Sequence, residues 1–166
     1  MEKQAFLKVG SIQDKNGKSY DIHQLNKAYD GEFYAEYTQP ETPFLFPDIE
    51  LKDNWEHILF NIMDGDIVVG TAGIVGIRRS NIFCVECGLS CFIKEDYRGL
   101  GLHKASIKFR LDFAKIIGIH MIYTDVANDI SYNNLIKCGL EYSGDRISYN
   151  AITKNLQKIK TVYKIL

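Results

Sequence analysis

The sequence predicts an α+β fold, an antiparallel meander followed by a β–α–β–α–β half. Three observations predict it. Asp64-Gly65 lies between the apolar runs "HILFNIM" and "DIVVGTAGIVGI", the mark of a hairpin with positive φ at Gly65. Leu102, Ala105, Phe109, Phe113 and Ile116 fall on one helical stripe. Beyond that stripe, the apolar pattern alternates strand, helix and strand to the end of the chain.

Each element follows in order. "AFLKVG" (5–10) is a first strand and "DKNGKS" (14–19) a turn. Residues 20–37 carry apolar marks at Ile22, Leu25, Ala28 and Tyr29, which predict a helix. "QPETPFLFPD" (39–48) holds all three prolines and is an irregular loop. A short helix is expected around Trp55. The hairpin at Asp64-Gly65 follows, and "RRSN" (78–81) turns the chain into a third strand, "IFCVECGLSCFI" (82–93). In the helix from Leu102, Ile107, Leu111 and Ala114 widen the apolar stripe, while Lys104, Lys108 and Lys115 take the other side. Gly118 stops it. "IHMIYTDV" (119–126) is a strand. "NDISYNNLIKCG" (128–139) is a helix capped by Asn128 or Asp129 and ended by Gly139. "LEYSG" (140–144) and "TVYKIL" (161–166) are closing strands.

No repeat, low-complexity tract or linker divides the 166 residues, so a single domain spanning 1–166 is expected. A hydrophobic content of 46% suffices for a substantial core. The net charge of −1 gives no basic surface for nucleic acid. No apolar run reaches membrane-span length, and "MEKQAFLKVG" is no signal peptide, so a cytoplasmic protein is expected. Charge is uneven: nine acids stand against Lys27 and Lys52 between Asp21 and Glu56. That segment is either solvated surface or a region favouring a cationic, amine-bearing substrate. Cys84, Cys87 and Cys91 have a spacing that invites a metal, but on a strand Cys84 points away from the other two. They and Cys138 are expected to be free thiols, with no metal site.

"EDYRGLGLHKA" places Arg98, Gly99 and Gly101 where a strand hands over to a helix. Such a junction suits an anion, because a helix N-terminus offers unpaired N–H groups and glycine admits close approach. A P-loop is excluded because His103, not glycine, precedes Lys104. A dinucleotide fingerprint is excluded because Lys104 stands where its third glycine belongs. A third pattern, Arg/Gln-x-x-Gly-x-Gly/Ala, matches except at its last position, His103.

With that pattern, "CFIKEDYRGLGLHKA" resembles the acyl-CoA-binding motif of the GNAT superfamily of N-acetyltransferases. "NDISYNNLIKCGL" supports the resemblance: Asn128, Ser131, Asn134-Leu135 and Gly139-Leu140 stand at the family's next motif. The likeness covers most of the chain and is firmest over 58–144. It implies a three-layer fold with a mixed, mostly antiparallel sheet flanked by helices and a V-shaped strand splay at the cofactor site. It also implies transfer of an acetyl group from acetyl-CoA to an amine of a small molecule or peptide, by direct attack.

By resemblance, Arg98, Gly99, Leu100, Gly101, Leu102, His103 and Lys104 form the diphosphate cradle. Cys91, Phe92 and Ile93 pair with the pantetheine arm, which Asn128 and Ser131 meet from the other side. Glu86 is the candidate base, one residue off the commonest position. Tyr132 is the candidate acid, since Leu135 stands where the family usually has tyrosine. His103 either crowds the phosphates, donates to one, or points away. The acidic segment favours a polyamine-like, aminoglycoside-like or lysine-type acceptor. Rival readings are a catalytically silent coenzyme A-binding module and a relative that modifies a nucleobase or uses another acyl donor. The exposed strands near the C-terminus leave a homodimer open.

Overall fold

The computed structural model describes residues 6–25, 56–77, 88–150 and 154–166. The chain runs β1 (Phe6–Gln13), β2 (Ser19–Leu25), β3 (Glu56–Asp64), β4 (Ile67–Ile77), β5 (Gly88–Ile93), α1 (Leu102–Ile116), β6 (Met121–Val126), α2 (Asp129–Lys137), β7 (Glu141–Asn150) and β8 (Asn155–Ile165). Among the described residues two sheets form, ordered β1-β2-β3-β4-β5 and β6-β8-β7. Every ladder in them is antiparallel.

The β3–β4 hairpin turns at Gly65, whose φ is +59°, as the Asp-Gly pair predicts. α1 and α2 occupy the predicted spans, and Asn128 is the α2 cap. Both helices end alike. Ile119 N–H reaches Ala114 O at 2.9 Å, and Leu140 N–H reaches Leu135 O at 3.1 Å. The chain thus closes each last turn and buries an apolar residue just beyond it.

Three expectations are corrected. Ile116, expected on the apolar stripe of α1, is 82% exposed, because the packed face of the helix ends at Ala114. The residues 20–25 read as helix are strand: Tyr20 and Ile22 are buried, while Asp21 between them and His23 just beyond are partly exposed. That period of two fits a ladder with β1 on one side and β3 on the other. The closing strands are longer than expected, because β7 and β8 form one hairpin in which Tyr149 still pairs with Leu156. The expected helix over 26–37, the proline loop, the helix at Trp55, and Cys84 and Cys87 lie outside the described residues.

One apolar cluster joins both sheets to both helices. It includes Ile22, Phe60, Ile62, Ile74, Ile107, Ala114, Ile122 and Val162. Phe60 meets Phe109 and Phe113 edge-on at centroid distances of 5.6 and 5.1 Å. The cluster seats α1 against the first sheet, and that seating sets the position of its N-terminus.

The sheets do not continue into one another. At β5 and β6 the link is a side chain: the Thr124 hydroxyl lies 3.4 Å from Leu89 N and 3.5 Å from Leu89 O.

Candidate active site

β5 ends at Ile93, and the chain must turn before α1 can start. Lys94 N–H donates to Val69 O at 2.9 Å, a last bond to β4. One 3-10 turn, Glu95–Tyr97, leads into the glycine loop. Gly99 and Gly101 hold φ of +74° and +84°, a left-handed backbone that a side chain resists. The Leu100 carbonyl accepts from Lys15 N–H at 2.9 Å, pinning the loop to the β1–β2 turn. Arg98 folds back on its own strand. Its Nε donates to Ile93 O at 3.0 Å, and its guanidinium lies 5.7 Å from the Phe92 ring centroid.

α1 therefore begins at a glycine with no side-chain cap and no acid in its first turn. The N–H groups at its mouth carry the positive end of the helix dipole. α2 is finished internally: the Asn128 Oδ1 accepts from Ser131 N–H at 2.8 Å, and Asp129 sits in its first turn. Of the two helices among the described residues, α1 is the one that leaves its opening without a side-chain cap.

A cavity of about 520 Å³ adjoins that opening. Cys91, Phe92 and Ile93 form one wall, the loop and His103 the floor, and Ile130, Ser131 and Asn134 of α2 the far wall. Its size suits a small elongated ligand.

Two polar side chains bear on this cavity: His103 lines it, and Arg110 acts electrostatically on His103 and Cys91. His103 is half-buried, and Asn134 Nδ2 lies 3.1 Å from its Nδ1. Burial, aided by the Arg110 charge, pushes its pKa down to about 4, so the ring is neutral at physiological pH. Arg110 is 1% exposed. Its Nη1 donates to Gly73 O at 3.0 Å and Ser90 O at 2.7 Å, and its Nε to Ser106 O at 3.2 Å. Gly73 and Ser90 are ladder partners, so one guanidinium joins α1 to β4 and β5. Cys91 is a poor nucleophile, because burial pushes its thiol pKa up despite the opposing pull of Arg110.

Residues 20–139 match the acetyltransferase (GNAT) family. The chain belongs to that family. No curated protein matches it in sequence. Solved structures share the GNAT fold. One is the ribosomal-protein-S5-alanine acetyltransferase of Vibrio fischeri, 17% identical with a TM-score of 0.58 over 68% of this chain and 62% of that one. Another is a ribosomal L7/L12 alpha-N-protein acetyltransferase in complex with coenzyme A, 13% identical with a TM-score of 0.59 over 66% and 62%. A third is a variant of spermidine N-acetyltransferase from Vibrio cholerae, 22% identical with a TM-score of 0.57 over 66% and 65%. The match thus spans less than two thirds of those three chains.

Among the predicted GNAT site residues, the structure gathers Cys91, Phe92, Ile93, Arg98, Gly99, Gly101, Leu102, His103 and Ser131 at the cavity. Leu100, Lys104 and Asn128 do not line it. The carbonyls of Leu100 and Lys104 meet Lys15 N–H and the Cys138 thiol, and the Asn128 amide oxygen is committed to its cap. Tyr132 is not brought to the cavity either. Ser131 and Asn134 share one face of α2, and Tyr132 lies about 100° further round the helix. There it meets the Tyr142 ring edge-on at 6.4 Å and has Lys160 Nζ 4.4 Å from its centroid. The geometry gives it no support as the acid. Glu86 lies outside the described residues.

Sequence reasoning missed Tyr97, Ile130 and Arg110, and it placed Asn134 in a motif without giving its side chain a role. Arg110 did leave a signal: a lone arginine stands between Ile107 and Ala114 on a helical face whose other buried members are apolar or small.

Proposed function

We propose that this chain transfers an acetyl group from acetyl-CoA to an amine of a small molecule or peptide. One observation carries the reading: the uncapped, acid-free N-terminus of α1 opens beside a cavity walled by β5 and α2. The residues fit the group. Leu102, His103 and Lys104 supply first-turn N–H groups for a diphosphate, and Gly99 and Gly101 keep side chains out of its way. Cys91, Phe92 and Ile93 offer strand backbone to an extended arm, and Ser131 faces them from α2.

Bound acetyl-CoA supplies an activated thioester. The chain's task is to hold that thioester still, admit a neutral amine and accept the proton the amine loses. Glu86 is the proposed proton acceptor. The acceptor is an amine, as the names of the spermidine N-acetyltransferase and the alpha-N-protein acetyltransferase that share the fold suggest.

A second reading is a coenzyme A-holding module without catalysis, and one observation favours it. Leu135, where the family usually carries tyrosine, is 5% exposed and belongs to the core. Free-thiol release from acetyl-CoA with a panel of amines, spermidine and lysine peptides among them, separates the two. Amine-dependent release supports transfer. Binding of coenzyme A with no release from any amine supports the module.

A further inference from the structure

His103 occupies the last position of the glycine motif, where a small residue is the rule, and the structure gives its ring a defined orientation. It is the second residue of α1, at the mouth of the helix and on the floor of the cavity. An amide NH₂ only donates, so Asn134 Nδ2 at 3.1 Å makes His103 Nδ1 an acceptor. The proton of the neutral ring then sits on Nε2. Asn134 comes from α2, 31 residues further along the chain. The contact therefore ties together the two helices that flank the cavity.

We propose that His103 Nε2–H is a side-chain donor to the cofactor's diphosphate, with Asn134 as the positioning residue that fixes its tautomer. This rests on the coenzyme A reading above. The logic is one of supply. The α1 opening offers main-chain N–H groups but no capping side chain and no first-turn base beyond Lys104, which the cavity wall does not include. The Arg98 guanidinium is braced on Ile93 O and Phe92. A neutral N–H donor at position 103 adds a contact that persists across the physiological pH range, because the ring holds its single proton throughout.

Calorimetry with three ligands tests this. Coenzyme A and dephospho-coenzyme A both carry the diphosphate; pantetheine lacks it. His103→Phe keeps a ring and removes the donor. It should weaken coenzyme A and dephospho-coenzyme A alike, by roughly 10- to 100-fold, and leave pantetheine unchanged. His103→Gln, which keeps an N–H near the Nε2 position, should recover most of that loss. In the free protein, nitrogen NMR should show the His103 Nε2 protonated and Nδ1 bare, and Asn134→Leu should mix the tautomers. Thermal melts check that each variant is folded.

Failure of the wild-type protein to bind coenzyme A would remove the cofactor reading itself. Wild-type binding with an unchanged His103→Phe affinity would overturn this inference alone. So would equal weakening of pantetheine, which would make the ring a shape element of the arm site. A loss confined to coenzyme A would place the donor on the 3′-phosphate and overturn it as well.

Discussion

At the scale of single residues, His103 in the cavity lining and the buried Arg110 near it are residues whose stability effects can be signed. The His103 pKa of about 4 lies below the ordinary 6.5. Between those values the unfolded chain holds a proton that the folded chain lacks. Stability is therefore full above pH 6.5 and declines as pH falls toward 4. The shift is equivalent to about 3 kcal/mol. Urea midpoints measured from pH 7 to pH 4 should show this decline in the wild type, and His103→Phe should flatten it. A wild-type slope unchanged by that substitution would mean the ring titrates normally. Arg110 is the second case. Replacing it with methionine strips Gly73 O, Ser90 O and Ser106 O of a buried donor. Each hydrogen bond lost from this charged donor is worth about 1.5–3 kcal/mol, so a total on the order of 3 kcal/mol or more is expected in urea unfolding, with Arg110→Lys intermediate. Neither residue was legible as a partner in the sequence. Arg110 and Gly73 stand 37 positions apart, and His103 and Asn134 stand 31 apart. No local pattern encodes pairings that only the packed sheet and helices create.

At the scale of elements, legibility followed how local each cause is. The Asp64-Gly65 turn, the α1 span and the α2 cap rest on residues within a few positions of one another, and all three are where the sequence puts them, although Ile116 at the end of the predicted α1 stripe is exposed. β2 was misread because Ile22 and Leu25 are three apart, a helical interval. Its true period of two shows only once Tyr20 and Ile22 are seen to be buried together. The glycine loop was legible because its backbone demand is local as well. Gly101 caps α1 at φ +84°, with only Lys15 near the place a Cβ would take, at 3.8 Å. The space would admit alanine but the backbone would not, so Gly101→Ala should cost about 1–2 kcal/mol of stability. Coenzyme A affinity should fall with it, since the same dihedral aims the first-turn N–H groups. Gly10 shows the opposite constraint. Its φ is ordinary, but an added Cβ would stand 2.7 Å from Phe109 Cε2, where β1 crosses α1. Gly10→Ala should destabilise by about 1–3 kcal/mol through that clash, with coenzyme A affinity unchanged per folded molecule. The two substitutions separate the loop's ligand role from plain packing.

At the scale of the whole molecule, the cavity exists because two sheets meet without merging. β5 closes the first sheet and β6 opens the second, and the Thr124 hydroxyl at Leu89 takes the place of a ladder between them. Contacts of 3.4 and 3.5 Å are weak hydrogen bonds, so this junction lacks the directional backbone pairing that holds every neighbouring strand. A ligand lying along Cys91, Phe92 and Ile93 on one side and Ser131 on the other would touch both halves at once. Such a ligand binds the folded state alone, because unfolding separates its two walls. At 100 times its dissociation constant, coenzyme A should therefore add about 2.7 kcal/mol to the unfolding free energy. For a chain of this length that is a rise in Tm of roughly 5–10 °C. Thr124→Val, which removes the hydroxyl but keeps the shape, should lower the Tm of the free protein and enlarge the rise that coenzyme A produces. The ligand would then supply more of the joint between the sheets. Equal rises in the two proteins would mean that the ligand reads only the α1 opening, and that the second sheet is a support the cofactor never touches.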